Sequence, residues 1–242
     1  MLKAVIFDID GTLLDSNDLH AEAWQEAFRH FGREIPFAEI RHQIGKGGDQ
    51  LMPVFFSKEE LDEFGEEMEK YRSQLYKSKY LPLVRPFPQV RELFERIKAD
   101  GKRIALASSA KGDELDTYKR IAHIEDLVEK ATTADDAEAT KPSPDIFEAA
   151  LKELNNITPA EAIVVGDSPY DAEAAGKLRL RTIGVLCGGF PEAVLRSAGC
   201  IAIYRDPAEL LAKYEKTPLA GPQATTAARE DDEPPEKTRE RG

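Results

Sequence analysis

The chain has 242 residues and a formal net charge of −12, from 33 Lys+Arg against 45 Asp+Glu, with 41% hydrophobic residues. That length suits one large domain or two modest ones, the charge repels nucleic-acid phosphates, and no apolar run reaches the length of a membrane span, so neither a nucleic-acid nor a membrane role is expected. Cys187 and Cys200 have no metal-ligand spacing and the first residues run into a strand rather than a signal peptide, which makes a reducing cytoplasm the expected setting.

In chain order, Ala4 to Phe7 is apolar and β-branched at Val5 and Ile6, the pattern of a buried parallel strand. Asp8 and Asp10 follow, with Gly11 and Thr12. On a continuing strand the two acids share one side. Carboxylates this close repel unless a proton or a cation lies between them, which points to a magnesium site; an Asp-Gly pair also forms ordinary turns. Residues 17–31 read as a helix capped by Ser16 or Asn17, with Leu19, Ala23, Ala27 and Phe31 at helical spacing. His20 and Trp24, four apart, share a face that is either core or cleft wall.

Residues 36–79 hold helical pattern only: a short piece at 37–43, the glycine loop Gly45-Lys46-Gly47-Gly48, a piece at 49–56, and a long charged helix from Lys58 to Tyr80. The glycine loop is a plain connection, or a place where backbone N–H groups and Lys46 meet an anion. The proline-rich run 81–88 leads back into new structure. Strands then alternate with helices, which predicts a parallel sheet with crossovers. The strands fall at 102–107, 127–133, 163–166, 181–186 and 200–204. The helices fall at 88–100, 111–122, 143–154 with Ser143 as cap and Pro144 in the first turn, 170–178, 191–198 and 206–214. Residues 217–242 carry four prolines and ten charges and no aromatic residue, a composition that predicts a disordered tail.

Phe7-Asp8-Ile9-Asp10-Gly11-Thr12 resembles the first motif of the haloacid dehalogenase (HAD) superfamily, in its two-aspartate phosphatase form. Ala107-Ser108-Ser109 resembles the second motif, Lys141-Pro142-Ser143-Pro144-Asp145 the third, and Gly166-Asp167-Ser168-Pro169-Tyr170-Asp171 the fourth. The resemblance covers about residues 1–214. It implies an α/β fold, a Rossmann-like parallel sheet core (1–16 and 85–216) with an inserted all-helical cap domain (17–84) and a tail (217–242). It implies a magnesium-dependent phosphatase of a small phosphorylated metabolite, phosphoglycolate or a sugar phosphate, working through an aspartyl-phosphate.

In that reading Asp8 is the nucleophile and Asp10 the acid and base. Asp8, Asp167 and the backbone carbonyl of Asp10 hold the metal. Ser108, Ser109 and Lys141 bind the phosphoryl group, and Asp171 supports the site, pairing with Lys141. His20, Trp24, Lys46 and Gly47 of the cap meet the leaving group. Dehalogenases lack the second aspartate, so Asp10 argues against them. Lys46 is a weak candidate for the cap lysine of phosphonate-cleaving relatives. A β-phosphoglucomutase-type phosphotransferase is the nearest rival, since the face of His20 and Trp24 and the end of the strand before Ser108 resemble that enzyme. A non-catalytic binding module is opposed by the intact set Asp8, Asp10, Lys141 and Asp167. A monomer or weak dimer is expected.

Overall fold

The computed structural model describes residues 1–110 and 112–220. Its centre is a six-stranded sheet in the order β5-β4-β1-β6-β7-β8, parallel throughout. The strands are β1 (Ala4–Phe7), β4 (Arg103–Ala107), β5 (Lys130–Thr132), β6 (Ala162–Gly166), β7 (Arg181–Val185) and β8 (Cys200–Tyr204). From β1 the chain first builds outward through β4 and β5. It then returns to the other side of β1 with β6 and builds on through β7 and β8. The order therefore reverses at β1, and a crevice opens at the carboxyl end of that strand.

Strand alternation sorts the core into two layers. Val5 and Phe7 join Ile104, Leu106, Ile163 and Val165 on one face. That face is covered by α5 (Val90–Ala99), α6 (Gly112–Ala122) and α10 (Pro207–Ala212). Ala4, Ile6, Ala105, Ala107, Ala162 and Val164 line the other face, under α7 (Asp145–Glu153) and α8 (Pro169–Lys177). The small alanines let those two helices lie close to the sheet. A further helix, α9 (Glu192–Ala198), packs beside α8 and β8.

The helical insert runs through α1 (Asn17–His30), α2 (Phe37–Arg41), α3 (Gly48–Leu51) and α4 (Lys58–Leu75), ending in a π turn at Tyr76–Tyr80. It has its own core, with Trp24, Phe28, Ile40, Leu51, Phe56 and Met68 all buried. Its two connections to the sheet domain lie side by side. β2 (Leu14–Asp15) pairs antiparallel with β3 (Arg85–Pro86). Two residues per strand carry no readable period, so the sequence gives no sign of this ladder.

Two local expectations are corrected. Ser143 does not cap α7: Pro144 holds that place, and the Ser143 hydroxyl donates to Asp145 Oδ1 at 2.7 Å. Nor does the ordered chain stop at Lys216. Thr217 is buried, and Leu219 is fully buried in the same core as Phe94 and Leu210. One apolar residue in a stretch of polar average composition sits in the core. The rest of the expected tail, 221–242, lies outside the described residues.

Burying a leucine stabilises a fold by about 2 kcal/mol. A chain ended after Lys216 should therefore melt several degrees below one ended after Ala220. Equal thermal midpoints would show that Leu219 contributes nothing.

Candidate active site

Three strand ends deliver the site. Asp8 follows β1, Ser108 follows β4, and Asp167 follows β6. Because β1 lies between β4 and β6, these residues converge on the crevice. Lys141 comes from the loop before α7 and is 1% exposed. Its ammonium pairs with Asp8 Oδ1, and with Asp171 Oδ1 at 2.8 Å. The other oxygen of Asp171 accepts from Ser168 N at 3.0 Å and from Ser168 Oγ at 2.7 Å. Asp171 is thus bound on both sides, which suits a supporting role better than metal ligation.

Asp8 Oδ2 accepts from Thr12 Oγ1 at 3.0 Å. Asp167 accepts from the same hydroxyl at 3.3 Å and from Asn17 Nδ2 at 2.8 Å. Asn17 also donates to the Gly188 carbonyl at 3.0 Å. Gly188 sits so close that a Cβ there would overlap the Asp167 carboxylate.

The charges do not balance. Asp8, Asp167 and Asp171 bring ligand atoms within 4.8 Å of one another, against one buried cation beside them among the described residues, Lys141. Burial pushes the Asp8 carboxyl up to about 7, against the pull of Lys141, with Asp171 and Asp10 adding to the rise. Burial, then Asp8 and Asp171, push Asp167 well above the carboxylate range. Burial alone would lower the Lys141 ammonium, but Asp171 and Asp8 outweigh it and hold it high. Missing positive charge among hard oxygen ligands is what a divalent cation such as magnesium supplies. The donor set therefore fits a metal at Asp8 and Asp167.

Asp10 is treated differently. Burial works to raise it, yet His20, Ser16 and Arg72 outweigh burial and hold it below the usual range. Ser16 Oγ donates to Asp10 Oδ1 at 2.6 Å and His20 Nε2 lies 2.9 Å from the same oxygen. Arg72 of α4 donates to His20 Nδ1. A guanidinium only donates, so Nδ1 is the acceptor and Nε2 carries the proton given to Asp10. His20 stacks on Tyr76, with ring centroids 4.0 Å apart, and Arg72 lies over Trp24 and Tyr76. Ser16, expected as a helix cap, makes no capping bond, and its hydroxyl donates to Asp10.

Asp10, His20, Trp24 and Arg72 border a cavity of about 280 Å³. Asp8, Asp10, His20, Trp24, Lys46, Gly47 and Ser109 line it. Ser108 does not: it is fully buried, and its hydroxyl accepts from Ala110 N at 3.1 Å. Ser109 is the serine at the cavity, its hydroxyl lacking a hydrogen-bond partner among the described residues. Lys46 turns to Gln43 Oε1 at 2.6 Å and over the Tyr170 ring. The Gly47 amide is spent on Thr140 Oγ1 at 2.9 Å, and Asp49 also accepts from Thr140 N at 3.0 Å. The glycine loop therefore docks on the residue beside Lys141 instead of presenting its Gly47 amide to an anion.

Sequence reasoning passed over Arg72, although Met68, Arg72 and Tyr76 at spacing four share one face of the long helix. It quoted Thr12 without a role, and saw in Asn17 only a cap. Neither residue's bond to Asp167 leaves a pattern along the chain.

The sequence profile described as haloacid dehalogenase-like hydrolase matches residues 5–185. The chain belongs to the haloacid dehalogenase-like hydrolases. It is 29% identical over 213 residues to a phosphorylated carbohydrates phosphatase of Thermotoga maritima, covering 87% of this chain and 97% of that one. It is 31% identical over 205 residues to the chloroplastic protein SUPPRESSOR OF QUENCHING 1 of Arabidopsis thaliana, of which it spans 19%. The crystal structure of a hydrolase from Pseudomonas syringae superposes with a TM-score of 0.77 at 26% identity, covering 88% of this chain and 98% of that one.

The raised Asp8 carboxyl sets a pH dependence. Without metal, the stability lent by protonated Asp8 is complete below about pH 4 and is lost as pH rises through about 7. Protons and metal compete for the same oxygens, so added magnesium should raise the melting temperature more at pH 8 than at pH 5.5. An equal rise at both would contradict this. Gly188→Ala should remove most of the magnesium-induced shift, because its methyl displaces Asp167; a shift of wild-type size would show that Asp167 is not a ligand.

Proposed function

We propose that this protein is a magnesium-dependent phosphatase of small phosphorylated metabolites, sugar phosphates foremost, acting through an aspartyl-phosphate on Asp8. The observation that carries the reading is the buried Asp8–Lys141–Asp171 arrangement beside Asp167, with Asp8 at the wall of a partly open cavity at the end of β1. The likeness to a phosphatase named for phosphorylated carbohydrates favours sugar phosphates among the candidates.

In this reading Asp8, Asp167 and the main chain of Asp10 hold magnesium. When bound, it supplies the positive charge that lets a carboxylate approach a phosphate dianion. Lys141 holds Asp8 in place and offers charge to the phosphoryl oxygens. Ser109, at the cavity with an uncommitted hydroxyl, takes a further oxygen. Asp8 attacks phosphorus, and the bond to the leaving oxygen breaks. Asp10 rests ionised, so it must take up a proton with the substrate before it gives one to that oxygen; it then takes one from the water that hydrolyses the acyl phosphate. His20, itself held by Arg72, aims Asp10 at the reacting oxygen. The helical insert covers the cavity and keeps bulk water from it.

The test is phosphate release from glucose 6-phosphate and from 4-nitrophenyl phosphate with magnesium present. Asp8→Asn should lower turnover by roughly a thousandfold or more while keeping the circular dichroism of the fold. Wild-type turnover in that variant would refute the mechanism. β-Glucose 1-phosphate, offered with a trace of its 1,6-bisphosphate, should yield inorganic phosphate. Glucose 6-phosphate formed without free phosphate would make the protein a mutase.

A further inference from the structure

One buried carboxylate at the cavity has no task in the chemistry above. Glu114 lies in the first turn of α6, four residues before Tyr118, and both face inward. It is 3% exposed and lines the cavity near Asp10, Arg72 and Ser109. Its ion pair is long, with Oε1 3.8 Å from Lys77 Nζ. A carboxylate buried with so little compensation costs folding free energy. A hydroxyl group entering the cavity and donating to it would remove part of that cost.

The rest of the cavity wall has the same sign. Asp49, Glu69, Asp135 and Glu138 also border it, against Lys46 and Arg72 among the described residues. Lys46 is held by Gln43 and the Tyr170 ring, and Arg72 donates to His20 and lies over the rings of Trp24 and Tyr76, its buried Nε without a hydrogen-bond partner among the described residues. A second phosphate or a carboxylate on the leaving group would meet a wall in which acids outnumber cations among the described residues, even with Lys77 beside Glu114. A neutral alcohol with several hydroxyls brings donors instead, and a cavity of about 280 Å³ is roomy enough for one of sugar size.

Resting on the phosphatase reading of this same site, we propose that Glu114 determines specificity for the leaving group: it accepts a hydroxyl of an uncharged polyol and excludes leaving groups bearing a second anionic charge. Glu114 touches the part of the substrate that departs and takes no part in proton or phosphoryl transfer.

The test compares sorbitol 6-phosphate with 6-phosphogluconate. The two share chain length and phosphoester and differ at the far carbon, a hydroxymethyl in one and a carboxylate in the other. With magnesium, the wild-type protein should favour sorbitol 6-phosphate by about tenfold or more in kcat/KM, chiefly through KM. Glu114→Gln keeps the size and one acceptor while removing the charge, and should lower that ratio by about tenfold. If Glu114→Gln does not fold, Glu114→Asp draws the charge back by one methylene and should lower the ratio in the same direction. A wild-type ratio near one would overturn the inference, as would a ratio unchanged in the folded variant. Cleavage of 4-nitrophenyl phosphate with neither sugar phosphate accepted would also overturn it. Failure to cleave 4-nitrophenyl phosphate at all would sink the phosphatase reading itself.

Discussion

The site depends on one buried ammonium. Lys141 sits between Asp8 and Asp171, almost wholly out of water. Removing it would leave carboxylates facing one another in a region of low dielectric, which the fold could tolerate only by protonating them. Lys141 arrives on a loop between β5 and α7, while Asp8 and Asp167 arrive on strands, so its charge ties the loop to the sheet. The next residue back, Thr140, is gripped by the Gly47 amide and by Asp49 of the helical insert. The seating of the insert and the placing of Lys141 are therefore joined through adjacent residues.

Asp8 and Asp10 are two residues apart in the chain and are driven in opposite directions. Burial among other acids raises Asp8, whereas His20, Ser16 and Arg72 hold Asp10 low against burial. Environments that separate the ionisation of two neighbouring carboxyls assign them different tasks. The raised acid needs a cation before it can be an anion, which suits a nucleophile working beside a metal. The lowered acid is already ionised, which suits a base for water. Two of the groups that lower it, His20 and Arg72, come from α1 and α4, so in the proposed mechanism the insert bears on the proton chemistry as well as on enclosure.

Much of this was legible in the sequence, for a physical reason. A strand end marks both a break in apolar pattern and the edge of the crevice, so Asp8, Asp167 and the serine pair after β4 announced themselves along the chain. Lys141 was legible only by its order among the motifs. Which serine faces the cavity was not legible, because Ser108 and Ser109 differ only in where their side chains point after the last ladder bond. Thr12 and Asn17 act across the fold on Asp167, and Thr140 acts on the glycine loop. Such pairings have no sequence spacing to read. The glycine loop itself suggested an anion site, but its close approach to Thr140 explains Gly47, where a Cβ would collide with the threonine side chain. Leu219 was hidden for the opposite reason: averaging over a polar segment conceals a single anchor.

The most direct test of the account is to look for the phosphoryl group on the protein. Wild-type enzyme mixed with excess sugar phosphate and magnesium, quenched in acid within a fraction of the turnover time and digested, is analysed by mass spectrometry. The account predicts one added phosphoryl group on the peptide containing Asp8, labile to hydroxylamine and lacking when magnesium is withheld. Release of inorganic phosphate with no phosphorylated peptide, or with the phosphoryl group on any other residue, would contradict it.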